Sequence, residues 1–270
     1  MLINNILLHV KRDEVKDARA SIIITHGIAE HSGRYDDITK SLNEAGYTVI
    51  RYDLRGHGQS QGRRGALKSW RQPIEDLHAL VIAEKKKKPK KIFLLGHSLG
   101  GLIVNLYAVN HHDVDGIISS GAVTHYLKDV LPLRIIGFRL IGWVPKKTHF
   151  ADDQLARIKA VEDDYIQDPL NLKKFYLSIV GHMMVKGVRQ LNSNLKQYQT
   201  PVLFMHGGTD KIVPSSFSER LHQLIPVKDK QLIIYPESYH EIFNDLDKAQ
   251  VFEDLLNWLA ERAPKPEVKS

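Results

Sequence analysis

The chain has 270 residues, of which 43% are hydrophobic and 26% are charged, with 18 Gly, 11 Pro and no Cys. This length fits one large α/β domain or two small domains, and the composition excludes a disordered, collagenous or disulfide-stapled protein. The formal net charge is +7, and the six lysines of residues 85–91 account for all but one of these charges. A continuous basic face for nucleic acid is therefore not expected, and the lysine run is interpreted as a solvated helix end, with a membrane-surface contact as the alternative.

The first ten residues, MLINNILLHV, predict a strand, and they lack the basic start and small-residue cleavage site of a signal peptide. Six short apolar runs follow, and the segments between them have helical periodicity. Because the runs are nearly continuous rather than alternating, they are typical of strands buried on both faces of a parallel sheet. The pattern predicts a doubly wound, mostly parallel α/β sheet with strands at 21–25, 47–52, 91–95, 115–119, 201–205 and 231–235.

The alternation of strands and helices breaks between residues 122 and 198, where helical patterns occur without a convincing strand. This break predicts a helical cap subdomain at 122–198, inserted after the sixth strand into a core formed by 1–121 and 199–270. The most apolar stretch, 130–145, contains Arg134 and Arg139 and is shorter than the roughly 20 residues of a membrane-spanning helix. No transmembrane segment is predicted.

A G-x-S-x-G sequence, Gly96 to Gly100, lies between the predicted strand 91–95 and the apolar helical run that follows it. This context is typical of a nucleophile elbow, in which glycines permit a strained turn that exposes the serine at a helix N-terminus. We predict that Ser98 is the nucleophile. The alternative is a glycine turn without a catalytic role.

A serine nucleophile needs a base that is oriented by an acid. Asp210 follows the run 201–205 and His240 follows the run 231–235, which gives the order Ser, Asp, His of this type of fold. Asp53 is the alternative acid, although its place before the serine favours a role in bracing its own Gly-rich loop. The histidines that also lie near strand ends are interpreted as loop-bracing residues; they are His26, His57, His97 and His206.

Acyl transfer also needs two hydrogen-bond donors for the developing oxyanion. The backbone N–H of Leu99 and that of Ile28, which follows the first strand of the parallel set, are the candidates. The adjacent His111, His112 and Asp113 could suggest a metal site, but consecutive residues at a helix end point in different directions. We therefore predict neither a metal nor another cofactor.

With these motifs the chain resembles the monoacylglycerol lipases and lysophospholipases of the α/β-hydrolase superfamily. The resemblance covers about residues 21–260 and depends on HGIAEHSGRY (26–35), YDLRGHGQSQG (52–62), GHSLGG (96–101), HGGTDKIVP (206–214) and YHE (239–241). It implies the α/β-hydrolase fold, the triad Ser98, Asp210 and His240, and the oxyanion donors Ile28 and Leu99.

The resemblance also implies that Glu30, Arg34, His97 and Tyr165 surround the polar end of the substrate, where glycerol would bind. A purely structural ion pair between Glu30 and Arg34, one helical turn apart, is the alternative. Animal members of the family carry a second histidine three residues after the catalytic one, where this chain has Phe243. The head-group preference is therefore left open.

The proposed cap is rich in large apolar side chains, which predicts a wall of an acyl-chain tunnel containing Ile136, Phe138 and Ile141. Packing of the cap onto the core is the alternative. The same segment could contact a membrane surface, so we expect a cytoplasmic protein that binds peripherally to membranes.

The sequence thus predicts a serine hydrolase of glycerol esters, in first place a monoacylglycerol lipase, that acts on a small lipid ester through an acyl-enzyme. Lysophospholipase and general carboxylesterase activities are the alternatives within this class. A ligand-binding relative without turnover is the alternative from another class. The oligomeric state is left open.

Overall fold

A computed structural model describes residues 1–148 and 153–265 of the chain. Its main feature is a seven-stranded sheet in the order β11-β10-β7-β6-β4-β5-β3, in which only the edge strand β3 is antiparallel to its neighbour. The strands are β1 (Leu2–Ile3), β2 (Ile6–Leu7), β3 (Val10–Asp13), β4 (Ser21–Thr25), β5 (Thr48–Tyr52), β6 (Ile92–His97), β7 (Gly116–Ser120), β8 (Pro145–Lys147), β9 (Lys174–Tyr176), β10 (Val202–Gly207) and β11 (Lys230–Tyr235).

Each of the six predicted apolar runs forms a strand of this sheet, with bounds that differ by at most two residues. The inner strands β4, β5, β6, β7 and β10 are buried along their whole length, as expected for strands that helices cover on both faces. The edge strand β11 is only partly buried. The predicted doubly wound α/β sheet is confirmed.

Five helices cover the two faces of the sheet. Side chains of α1 and α9 belong to the apolar cluster on one face, and those of α2, α3 and α8 belong to the cluster on the other. The run predicted as the helix after Ser98 coincides with α3. The helices are α1 (Asp36–Glu44), α2 (Arg71–Lys85), α3 (Leu99–Asn110), α8 (Ser216–Leu224) and α9 (Lys248–Arg262).

The N-terminal segment differs from the prediction of one strand. Asn4 and Asn5 both have positive φ, 47° and 64°, and they form a tight turn between β1 and β2, which pair antiparallel with each other. Asparagine tolerates this left-handed conformation better than most residues, so the Asn-Asn pair ends the strand and reverses the chain. The first strand of the central sheet is instead β3, which was not predicted.

The segment between β7 and β10, called the insertion below, contains α4 (Leu131–Ile136), α5 (Lys159–Gln167), α6 (Leu177–Ile179) and α7 (Val188–Ser193), with a π-helix at Val180–Gly187. It also contains the short antiparallel pair β8 and β9, where no strand was predicted. The insertion follows β7, which is the fifth strand of the central sheet in chain order and not the sixth as predicted. Among the described residues, no helix combines the length and apolarity needed to cross a membrane.

Candidate active site

Ser98 lies in the turn between β6 and α3 and adopts φ 54° and ψ −114°, a conformation that non-glycine residues rarely adopt. The chain passes close to itself here. A Cβ on Gly96 would lie 2.2 Å from the Gly100 carbonyl oxygen, and one on Gly100 would lie 2.0 Å from the Thr25 carbonyl oxygen. Only glycine fits at these two positions, so the G-x-S-x-G sequence forms the strained strand-turn-helix elbow that was predicted.

Asp210 follows β10 and His240 follows β11, so both lie at the same edge of the sheet as Ser98. His240 Nδ1 is 2.6 Å from Asp210 Oδ2. Burial opposes ionisation of Asp210, but the charge of His240 and hydrogen bonds from His206 and His240 outweigh it and hold the pKa of Asp210 well below its usual range. The carboxylate therefore accepts the Nδ1 proton and leaves Nε2 as the basic nitrogen.

The pKa of His240 results from opposing effects. Burial lowers it, but the charge of Asp210 and its hydrogen bond, followed by the charges of Glu241 and Glu30, raise it above 6.5 overall. This environment stabilises the imidazolium that forms when a histidine takes a proton from a serine. Asp210 and His240 thus have the geometry and electrostatics of an acid and base pair.

Asp53 and His206, which the sequence analysis interpreted as bracing residues, form hydrogen bonds within these loops. Asp53 accepts hydrogen bonds from the Ser32 N–H at 2.8 Å and hydroxyl at 2.6 Å and from the Gln59 N–H at 2.8 Å. His206 Nε2 contacts Asp210 Oδ2 at 3.2 Å and the Val213 carbonyl at 2.9 Å. Asp53 thus ties two loops together, as expected, while His206 supports the carboxylate that binds His240.

The proposed oxyanion loop follows β4. The Gly27 N–H donates to Glu30 Oε1, and a Cβ on Gly27 would lie 2.8 Å from this oxygen and 3.2 Å from Ser98 Cβ. The glycine therefore allows the loop to approach Ser98 closely. Ile28 lines the cavity that contains Ser98, and Leu99 is the first residue of α3, whose N-terminal N–H groups lack helical partners. Both candidate donors are thus adjacent to Ser98.

Contacts from the insertion hold this loop. Ala29 has φ 65° in the left-handed region, and its carbonyl accepts hydrogen bonds from the Leu172 N–H at 2.9 Å and from the Tyr165 hydroxyl at 3.3 Å. His31 Nε2 lies 2.7 Å from Asp168 Oδ2. The insertion and the proposed oxyanion loop are therefore hydrogen-bonded to each other directly.

A cavity of about 300 Å³ opens beside Ser98. Its polar side is lined by Ser98, His240, His97, Glu30 and Tyr165. Arg34 does not line it, although it lies directly behind. Its Nε is 3.3 Å from Glu30 Oε2, and its guanidinium carbon lies 4.9 Å from the centre of the Tyr165 ring. The ion pair between Glu30 and Arg34 is therefore present, while the glutamate still faces the cavity.

Sequence reasoning missed Glu241, which also lines the cavity and lies 2.5 Å from Arg34 Nη2. The contact joins residues 207 positions apart in the chain, which no local pattern reveals. The sequence feature that could have indicated Glu241 is its position directly after the predicted base His240, within the YHE motif.

The apolar wall of the cavity differs from the predicted one. Phe138 and Ile141 do not line the cavity, and the side chain of Ile136 lies outside the described residues. Phe138 is buried against Gly181 and His182 instead. Gly137, with φ 87°, ends α4 and redirects the chain, which turns the following residues away from the cavity. The wall is formed by other residues of the insertion, including Leu127, Val130, Leu133, Phe175, Leu177, Val180 and Met184.

The histidines near the end of α3 form a cluster that was not expected. His78 on α2, His111 and Asp113 bring their potential ligand atoms within 4.8 Å of one another. The two imidazole rings are stacked at 4.1 Å with an angle of 14° between their planes, so their in-plane lone pairs do not converge on one point. Asp113 accepts hydrogen bonds from Tyr107 and Lys85. These contacts explain the cluster without a metal ion.

Comparison with known proteins places the chain in a family. The family described as "Serine aminopeptidase, S33" matches residues 16–247. The chain belongs to this family. A monoacylglycerol lipase of Mycolicibacterium smegmatis is 28% identical over 90% of this chain and 89% of its own length. An uncharacterized abhydrolase domain-containing protein of Dictyostelium discoideum is 31% identical over 90% of this chain, which spans 26% of that protein's length.

The fold is also similar to that of solved structures. The crystal structure of the Paleococcus ferrophilus monoacylglycerol lipase has a TM-score of 0.86 and 27% identity, and the match covers 95% of this chain and 99% of that one. The predictions of an α/β-hydrolase fold, of a relative of monoacylglycerol lipases and of an ester hydrolase are confirmed.

Proposed function

We propose that the protein hydrolyses monoacylglycerols, with Ser98 as nucleophile, His240 as base, Asp210 as the acid that orients it, and the N–H groups of Ile28 and Leu99 as oxyanion donors. Support comes from the strained elbow, from the 2.6 Å contact between His240 and Asp210, and from the monoacylglycerol lipases among the similar proteins. The observation that carries the proposal is the cavity, which joins Ser98 and His240 to a polar side and to an apolar wall.

In the proposed reaction, His240 Nε2 takes the proton of Ser98 as the hydroxyl oxygen attacks the ester carbonyl carbon. The two backbone N–H groups stabilise the negative charge on the carbonyl oxygen of the tetrahedral intermediate. The bond to the glycerol oxygen then breaks, and His240 returns the proton to this leaving group. Water attacks the acyl-enzyme by the same steps and releases the fatty acid, so neither a metal nor a cofactor takes part.

The insertion would serve as a cap subdomain at 122–198 on a core of 1–121 and 199–270. Its residues Leu133, Val180 and Met184 would contact the acyl chain, while Glu30, His97 and Tyr165 would contact the glycerol hydroxyls, with Arg34 holding Glu30 in place. This arrangement is supported by the lining of the cavity and by the ion pair behind it.

A fluorophosphonate probe and a monodecanoylglycerol assay test the proposal together. We expect the wild type to be labelled and to release decanoate, and Ser98→Ala to do neither. Labelling without release would favour another ester class, such as short carboxylesters, which hydrolysis of a p-nitrophenyl ester series would reveal. Absence of both labelling and hydrolysis in the folded protein would favour a ligand-binding relative and would contradict the proposal.

We further propose that the cap contacts membranes peripherally. Four large apolar side chains between residues 131 and 143 of the cap are exposed, Leu131, Ile135, Leu140 and Trp143, the last two at 88% and 66%. Exposed Lys146 and Lys147 follow them in the chain and can attract anionic lipids. Leu140→Ser with Trp143→Ser should weaken binding to anionic vesicles, whereas Leu246→Ser, at a residue 63% exposed outside the insertion, should not. Equal binding by both variants would contradict this contact.

A further inference from the structure

The polar side of the cavity presents two carboxylates. Glu30 and Glu241 both line the cavity, and each residue is only 4% exposed. Arg34 is the cation that they share, and it lies behind them with Nη2 at 2.5 Å from Glu241 Oε2 and Nε at 3.3 Å from Glu30 Oε2. A substrate bound at this end therefore contacts the two carboxylates, whereas the guanidinium of Arg34 lies behind them and does not line the cavity.

The charges of this group do not balance. Two carboxylates and one guanidinium leave an excess of one negative charge in a buried site, where charges are screened less than in water. The remaining partners of the glutamates are donors: Gly27 N–H and the Tyr35 hydroxyl for Glu30, and the Asn244 amide for Glu241. Burial raises the pKa of Glu30 and the charge of Glu241 adds to this effect, as expected when two carboxylates share one cation.

The other charged groups around the cavity lie elsewhere. Lys146, Lys147 and Asp129 belong to the insertion and are exposed, and exposed Lys211 lies with its ammonium 4.5 Å from the centre of the Tyr239 ring. No arginine lines the cavity within the described residues. The buried end therefore presents carboxylates to the cavity, whereas the lysines that line the cavity occupy exposed positions.

We propose that Glu241, together with Glu30, makes the enzyme select esters with an uncharged, hydroxyl-bearing head group and reject those with a phosphorylated one. Carboxylates accept hydrogen bonds from hydroxyl groups, whereas a phosphate placed beside them is repelled and finds no exposed cation behind them. The inference depends on the proposed function, because it concerns the head group of the same ester substrate. Glu241 is thus a specificity-determining residue.

Two substrates that differ only in the phosphate test this inference: monodecanoylglycerol and 1-decanoyl-glycerol-3-phosphate. We expect kcat/KM of the wild type to be about tenfold or more higher for the uncharged ester. Glu241→Gln keeps an oxygen that accepts hydrogen bonds from Arg34 and Asn244 but removes one negative charge. It should reduce the ratio of kcat/KM for the uncharged ester to kcat/KM for the phosphate ester severalfold, mainly through faster hydrolysis of the phosphate ester. Asp129→Asn removes a carboxylate from the exposed part of the cavity lining and should preserve the ratio.

A second measurement requires no variant. A phosphate monoester gains negative charge between pH 6 and pH 8, since its second pKa is about 6, so the preference for the uncharged ester should increase over this range. Because both rates depend on the same His240, the ratio cancels its titration. A wild-type ratio near one, a ratio that does not change with pH, or equal effects of Glu241→Gln and Asp129→Asn would overturn the inference. Hydrolysis of p-nitrophenyl decanoate without hydrolysis of monodecanoylglycerol would instead count against the proposed function.

Discussion

The proposed binding of the acyl chain by the apolar wall of the cavity allows a quantitative test, in which Leu133→Ala is compared with Phe138→Ala. Leu133 lines the cavity, whereas Phe138 is buried against Gly181 outside it. Loss of wall contact for two methylenes of a bound decanoyl chain would cost about 1.6 kcal/mol, equivalent to about 15-fold in kcat/KM. Leu133→Ala should therefore reduce kcat/KM for p-nitrophenyl decanoate by about this factor and change that for the butyrate ester about twofold or less.

The Phe138 variant is the matched control, because it removes a larger side chain from the same segment. It should lower the thermal stability, since truncation of a buried phenylalanine costs about 3–5 kcal/mol. Any loss of activity should be equal for the two esters. Equal ratios of decanoate to butyrate hydrolysis in Leu133→Ala and wild type, or a larger change in Phe138→Ala, would show that the acyl chain binds elsewhere.

Three further predictions concern the proposed catalytic residues and Glu241. Asp210→Asn should lower kcat by about 10⁴-fold by analogy with other triads, because it favours the wrong tautomer of His240; a mild effect here with a severe one for Asp53→Asn, measured with p-nitrophenyl butyrate, would assign the acid to Asp53. Since the pKa of His240 is raised and only its neutral form can act as base, kcat/KM should rise with pH to a plateau with a midpoint above 6.5. Glu241→Gln removes one of the charges that raise this pKa, so the midpoint should move to lower pH; an unchanged or higher midpoint would show that the charge of Glu241 does not act on His240.

The parts of the molecule that were predicted correctly depend on residues that lie close together in the sequence. The strands of the parallel sheet are continuous apolar runs, and the elbow depends on two glycines within five residues, so a short window is sufficient to recognise both. The Asn4-Asn5 turn was also encoded locally, but the apolar residues on both sides of it concealed the signal. Here the turn propensity of asparagine prevailed over the hydrophobic pattern.

The composition of the cavity could not be predicted in the same way. Which residues of the insertion line the cavity depends on a helix of six residues that Gly137 terminates, and such a short helix has too few turns for periodicity to define a buried face. The ion pair of Arg34 with Glu241 depends on the spatial approach of the loops after β4 and β11, which are not adjacent in the sheet. The cavity-lining residues that were predicted correctly on the polar side, Glu30, His97 and Tyr165, were those whose positions the family resemblance supplied.

The bonds between the insertion and Ala29 have an energetic consequence for substrate entry. Any movement that lifts residues 165–172 away from the core must break the hydrogen bonds that hold Ala29 in its left-handed conformation, directly beside the proposed donor Ile28. Admission of substrate and stabilisation of the transition state would then be thermodynamically linked. A ligand that stabilises the contact between the insertion and Ala29 also stabilises the ordered conformation of the proposed oxyanion loop, by the same free energy. An intermediate bound at that loop stabilises the contact with the insertion in return.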